Sequence, residues 1–208
     1  GPGVPPDYRF HCVGTLMDLE VKPVALEGGT LRLEPMSLEH AQGLYNRGRN
    51  MTDWAYMPRA CFIDQADVRQ WIDEALSSPN QVPFVILEKA KGRVVGSTRY
   101  LNIRPEHRSL EIGWTWLGQE WPRTGVNTEA KFLLLRHAFE RLGCIRVEFK
   151  TDARNQRSQA ALERIGAVRE GVLRNHMIVQ GGHYRDSVYF SIIESEWPQI
   201  KARMEKRL

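Results

Sequence analysis

Hydrophobic and polar positions change period several times along the chain, and each change marks an element. Thr30-Leu31-Arg32-Leu33-Glu34 alternates with period two and predicts a strand that Pro35 ends. A helix is expected over 38–48 behind Ser37 as N-cap, although His40 stands where a capping box carries Glu or Gln. Val68, Trp71, Ile72, Ala75 and Leu76 recur at helical spacing and predict a second helix over 65–77, capped by Asp64. Period two returns over 82–87 and 93–103, joined at Lys89-Ala90-Lys91-Gly92 as an antiparallel hairpin. In 110–117, Leu110, Ile112, Trp114 and Trp116 share one face, with Glu111, Gly113 and Thr115 on the other, unless a bulge resets the alternation.

The period then lengthens to that of a helix. Phe132, Leu135, Phe139 and Leu142 form a stripe over 128–142, stopped by Gly143. Ile145, Val147, Phe149 and Thr151 line one side of the next strand, and a short helix over 156–165 turns Ala161, Leu162 and Ile165 inward before Gly166. Strands near 168–179 and 184–193 meet at Gly181-Gly182. The order β-α-α-β-β-β-α-β-α-β-β predicts an α/β fold. A central mixed, mostly antiparallel sheet is flanked by helices, with one strand-helix-strand crossover. Repeated crossovers of the dinucleotide-binding kind are missing.

Length and composition narrow the picture. The 208 residues suit one domain, expected over 29–198. Residues 1–28, rich in Pro and Gly and opening on a Gly-Pro-Gly that resembles a cloning remnant, read as an extension, and 199–208 as a tail. A net charge of +4 with both signs interspersed suits an anionic ligand but argues against nucleic acid. No apolar run reaches membrane-spanning length. Cys12, Cys61 and Cys144 lack metal-ligand spacing and read as free thiols of a reducing cytoplasm, with no metal expected.

Two stretches carry candidate chemistry. The segment from Trp121 to Glu129 lies between a strand and the strongest helix, where backbone N–H groups and the helix terminus can receive a phosphate. Gly125 permits close approach, Arg123 adds a guanidinium, and Thr128 offers a cap or a hydroxyl. The plainer reading is a capped helix start, with Glu129 complementing the helix end. Asn155, after the central strand, either caps the short helix or holds a ligand's peptide-like groups. The Ser158 hydroxyl faces inward and needs a partner, from the helix or from a ligand.

Together, Leu110-Glu111-Ile112-Gly113-Trp114, the turn before the helix at 128–142, and Asn155-x-x-Ser158 followed by Ile165-Gly166-Ala167 resemble the GNAT superfamily, the Gcn5-related N-acetyltransferases. The run Gly182-His183-Tyr184-Arg185-Asp186-Ser187-Val188-Tyr189-Phe190-Ser191 resembles the last strand pair of its bacterial RimJ/RimL branch, which acts on ribosomal protein N-termini. The similarity extends from about Gly29 to Trp197.

The resemblance implies acetyl transfer from acetyl-CoA to a primary amine, of a protein N-terminus or a small molecule. Its pyrophosphate would sit on Arg123, Thr124, Gly125, Val126, Asn127 and Thr128, and its pantetheine between the strands at 110–117 and 145–151. A bulged strand at Trp114, Thr115 and Trp116 would offer a backbone N–H to the thioester, Asn155 would contact the pantetheine, and Ser158 would protonate the leaving thiolate. Trp54, Tyr56, Arg174, His176 and Tyr184 would line the amine groove, and homodimers are common in the family. The sequence departs from the family at Pro122, in the Gln/Arg position, at Asn127, in a small-residue position, and at Leu162, where many relatives carry a Tyr acid.

Attack requires a neutral amine, and Glu111, beside the expected thioester, is the preferred base, directly or through water. A surface glutamate paired with an arginine is the plainer alternative, and His176 is the second candidate base. The competing functional class is a CoA-binding or regulatory module on the same fold, with weak or lost turnover.

Overall fold

The computed structural model describes residues 19–118 and 123–208, with Arg123 and Thr124 described by backbone alone. Eight strands form one sheet: β1 (Leu26–Glu27), β2 (Leu31–Pro35), β3 (Val82–Glu88), β4 (Val94–Arg104), β5 (Ser109–Leu117), β6 (Arg146–Asp152), β7 (Val168–Val179) and β8 (His183–Ile193). Their spatial order is β1-β2-β3-β4-β5-β6-β8-β7. Every neighbouring pair is antiparallel except β5 and β6. Among the described residues five α-helices complete the fold: α1 (Ala41–Arg47), α2 (Gln65–Ser77), α3 (Arg123–Glu140), α4 (Gln156–Ile165) and α5 (Trp197–Glu205).

Both faces of the sheet are covered, which explains the six consecutive buried residues that open β3. One face packs Leu33, Phe84, Tyr100, Leu110, Ile112, Phe149 and Phe190 against α3, α4 and α5. The other packs Val85, Leu87 and Val94 against α1 and α2, around Trp54, Phe62, Trp71 and Trp116. In that aromatic group Trp54 lies 4.9 Å from Phe62 and 5.0 Å from Trp116, centroid to centroid. Such contacts add about 0.5–1.5 kcal/mol each beyond their buried area.

The local signals act as expected in several places. Asp64 caps α2 by accepting from the Asp67 N–H at 2.7 Å. The His40 ring takes the role of the missing capping-box glutamate: its Nδ1 accepts from the Ser37 N–H at 3.1 Å, and its Nε2 meets Glu34 Oε2 at 2.9 Å. Gly166 ends α4 at φ 97°.

Four expectations need correction. The sheet begins at Leu26, and Leu19 and Leu26 are core residues, so the extension reaches into the domain. Strand β1 has only two residues, too few for alternation to reveal it. Residues 199–208 are largely helical rather than a tail: Trp197, Ile200 and Met204 recur at helical spacing and are buried, with Pro198 in the first turn. Helix α3 starts at Arg123, five residues before Thr128, so Thr128 lies inside the helix instead of capping it. Glu129 is not a surface complement to the helix end. It is buried, and its carboxylate accepts from Thr30 N at 3.0 Å and Thr30 Oγ1 at 2.6 Å, tying α3 to the first strands.

Candidate active site

Strands β5 and β6 pair only over Ser109–Glu111 and Arg146–Glu148, and beyond that register each continues without the other. The gap opens a cleft of about 690 Å³. It is lined by Phe149 and Lys150 alike, neighbours that point to opposite faces of the sheet, so the cleft crosses the sheet. Gly113, Trp114 and Asn127 also border it, as do Asn155, Ser158 and Leu162.

A bulge shapes one wall. Arg99 pairs with Gly113 and Ser97 with Trp116, so two residues of β5 oppose Thr98 alone. Trp114 takes φ 53°, a left-handed backbone that a bulky side chain rarely adopts. Two contacts hold it. The Thr98 and Thr115 hydroxyls lie 2.9 Å apart, and the buried Arg99 guanidinium stacks 4.5 Å from the Trp114 ring and 5.2 Å from Trp71. The bulge resets the alternation: Leu110 and Ile112 face α3, whereas Trp116 enters the aromatic core on the opposite face.

Glu111 is 1% exposed and lines the cleft. Its Oε1 accepts from Asn102 Nδ2 at 2.8 Å, and Lys150 Nζ lies 3.6 Å from Oε2. Burial raises its pKa above the ordinary carboxylate range, partly offset by Lys150 and Asn102. Asp152, in contrast, stays ionised: burial works to raise its pKa, but hydrogen bonds from Arg154 hold it below its usual value.

Asn155 caps α4, its Oδ1 accepting from Ser158 N at 3.1 Å, and both residues also face the cleft. The cap leaves the Asn155 amide N–H group free of that bond. Among the described residues the Ser158 hydroxyl has no protein partner. Gly125 is exposed, and a Cβ there would meet nothing within 4 Å. Val126 points into the core, and Asn127 and Thr128 border the cleft. Pro122 and the side chains of Arg123 and Thr124 lie outside the described residues.

The candidates for the amine groove separate. Tyr56 lines the cleft with Arg154 5.6 Å from its ring. Trp54, the last residue of the 3-10 turn Met51–Trp54, does not line it: it is fully buried in the aromatic core. His176 is half-buried, its Nδ1 2.9 Å from Ser187 Oγ, and burial together with Lys150 and Arg185 lowers its pKa. Arg174 and Tyr184 are exposed on the outer hairpin, away from the cleft lining.

Several lining residues carried no sequence signal. Lys131, Lys150, Asp152 and Arg185 sit at positions that read as ordinary helix or strand surface. Burial, with Arg164 nearby, pushes Lys131 down to about 8. Cys144, whose thiol burial pushes up to about 12, is no nucleophile. Among the described residues no group of three His, Cys, Asp or Glu side chains could hold a metal, and no helix is long and apolar enough to cross a membrane.

Comparison with known proteins agrees with this architecture. The family model of the acetyltransferase (GNAT) domain matches residues 30–168. A crystal structure of a candidate acetyltransferase from T. thermophilus is 40% identical with a TM-score of 0.83, covering 91% of this chain and 99% of that one. A GCN5-related N-acetyltransferase from Brucella melitensis is 30% identical with a TM-score of 0.84, covering 89% and 86%. YdaF of Bacillus subtilis (strain 168), by its name a candidate ribosomal N-acetyltransferase, is 36% identical over 106 residues, 51% of this chain. That match spans 57% of YdaF, little more than half its length.

Proposed function

Because the chain belongs to the GNAT acetyltransferase family, we propose that it is an acetyl-CoA-dependent N-acetyltransferase acting on a primary amine. The observation that carries this reading is the cleft between β5 and β6, which joins a buried glutamate on one face of the sheet to the start of α3 on the other. Acetyl-CoA supplies the acetyl group as a thioester whose sulfur leaves as a thiolate. The cleft fits such a ligand. It has an apolar middle of Phe149, Leu162 and Ile165, the cations Lys131, Arg157 and Arg164 beside α3 and α4, and an open first turn of α3 at Gly125.

The residues divide the work as follows. Glu111 removes a proton from the amine, a role suited to a carboxyl whose pKa burial has raised. The bulge sets Trp114 and Thr115 opposite Thr98 alone, and a backbone N–H left out of the ladder there donates to the oxygen that gains charge as the amine attacks. A preorganised donor of this kind contributes about 3–4 kcal/mol. Ser158, whose hydroxyl has no protein partner among the described residues, protonates the departing sulfur. Asn155 spends its Oδ1 on the helix cap and turns its N–H group to the pantetheine amides. Leu162, buried in the apolar stretch, leaves Ser158 as the acid.

We assign the chain to the RimJ/RimL-like branch, with a cytoplasmic setting. The motif at 182–191 supports this, as does the name of YdaF, so protein N-termini are the first acceptors to screen. Calorimetric titration with acetyl-CoA and with free CoA tests the reading. One-per-chain binding at micromolar concentration is expected, followed by acetylation of N-terminal peptides. No binding at millimolar ligand would overturn the proposal.

A further inference from the structure

Arg185, in β8, is 4% exposed and yet borders the cleft. Its Nε donates to Ser187 Oγ at 3.1 Å. Among the described residues no carboxylate lies within ion-pair distance of its guanidinium. The two that it feels electrostatically, Asp152 and Glu111, are already engaged. Asp152 Oδ1 and Oδ2 accept from Arg154 Nε at 3.1 Å and Nη2 at 2.9 Å. Glu111 is held by Asn102 and Lys150.

A buried cation without a counter-ion is costly, and a fold retains one where something else supplies the charge. Arg185 is also fixed in place. Ser187 Oγ accepts from Arg185 and lies 2.9 Å from His176 Nδ1, so Arg185, Ser187 and His176 form one hydrogen-bonded chain. The His176 ring packs edge-on against Tyr189, 5.8 Å between centroids. Around this part of the cleft Lys150, Arg154 and Arg185 face Glu111 and Asp152, which leaves one positive charge unmatched. Once Glu111 holds the amine's proton, the excess is two.

We propose that Arg185 is the recognition group for a carboxylate carried by the acceptor. The acceptors of this chain are then amines with a carboxylate close to the reacting nitrogen, either a free α-amino acid or a peptide N-terminus followed by an acidic side chain. The inference rests on the acetyltransferase reading and narrows its substrate class. The guanidinium fork suits a carboxylate, with paired N–H donors that an ammonium cannot supply. His176 and Ser187 act as positioning residues that aim the fork.

The test compares matched acceptors that differ only in the anionic group. One arm uses free amino acids against their amides. The other uses Ser-Asp-Ala-Ala against Ser-Asn-Ala-Ala, both C-terminally amidated. Wild-type protein should favour the carboxylate member of at least one arm by about tenfold or more in kcat/KM. The arm that responds identifies the source. In Arg185→Met the ratio should fall to about one, and Arg185→Lys should recover part of it. Acetyl-CoA titration of each variant establishes that it is folded. Equal use of both members by the wild type overturns the proposal, as does a preference that survives in Arg185→Met. Equal use of both members thus overturns this inference alone, whereas failure of every acceptor, or of acetyl-CoA binding, brings down the transferase reading with it.

Discussion

Asn102 and Glu111 meet as donor and acceptor at 2.8 Å, and Asn102 reaches the carboxylate from left-handed backbone at φ 46°. The strain belongs to a register shift in β4 between Leu101 and Arg104. It fixes Oε1 of Glu111, while Oε2 faces Lys150 across the parallel strand pair at 3.6 Å. One oxygen is anchored and the other is balanced against a single cation.

That balance sets the first prediction. Lys150 lowers the Glu111 pKa against the larger effect of burial, so removing its charge lets the pKa rise further. Lys150→Met should move the acid limb of the kcat/KM profile to higher pH, with activity recovering on the alkaline side. Glu111→Gln should remove that limb and lower kcat by about 10²-fold or more, with acetyl-CoA affinity little changed. An acid limb that stays in place in Lys150→Met, or persists in Glu111→Gln, would assign the base elsewhere.

A second prediction concerns β4, the strand that pairs with the bulge. A Cβ on Gly96 would lie 2.0 Å from the Trp116 carbonyl oxygen, a backbone atom that cannot swing aside. Gly96→Ala should therefore destabilise the protein by about 1–3 kcal/mol or more, read as a lowered urea midpoint. The control is Gly125→Ala, where a Cβ would meet nothing and the midpoint should hold. Equal midpoints for the two variants would mean that β4 and β5 can move apart.

The helix over 65–77, the order of most elements along the chain and the cap at Asp64 were legible because each depends on local periodicity or on one short-range bond. The crossover into β6 was legible from the change of period on either side of α3. The face of Trp116 was not. It depends on one extra residue opposite Thr98, and a bulge leaves the sequence unchanged while reversing every later side chain. Trp54 and Tyr56 are both aromatic and only two residues apart, yet one lies in the core and the other lines the cleft, and no sequence periodicity runs through this short turn to tell them apart. Lys150 and Arg185 stayed hidden because a charged residue alternating in a strand reads as solvated surface. The pairing of β6 with β8 is what brings both to the same polar side of the sheet.

Gln180 supports a third prediction. From the tip of the β7–β8 hairpin its amide nitrogen lies 2.9, 2.8 and 2.7 Å from the carbonyl oxygens of Trp54, Met57 and Arg59. Its two hydrogens thus bind a loop more than a hundred residues away, and Tyr56, Met57 and Pro58 of that loop line the cleft. Gln180→Ala should loosen this wall and raise the acceptor KM about three- to tenfold, while acetyl-CoA affinity, set on the α3 side, stays the same. If the acceptor KM holds and acetyl-CoA affinity falls instead, the loop serves the other end of the cleft.

Lys131 gives the fourth prediction, and its sign can be worked out from the direction of its shift. Burial depresses its pKa to about 8, so in the folded protein the ammonium is disfavoured relative to the unfolded chain. Between about pH 8 and the ordinary lysine value near 10.4, the unfolded chain binds more protons, and stability rises with pH in that window. Lys131→Met should accordingly stabilise the free protein at pH 7, and the gain should shrink toward pH 10. Acetyl-CoA acts in the opposite sense. A polyanion beside Lys131 favours the ammonium, so binding should take up a proton near pH 8–9, and affinity should fall as the pH rises from 7 to 9. Titration in two buffers of different ionisation enthalpy measures that uptake directly. The uptake and the fall should both vanish in Lys131→Met. If both persist there, the proton belongs to another group of the cleft, and Lys131 is a half-buried helix residue without a part in binding.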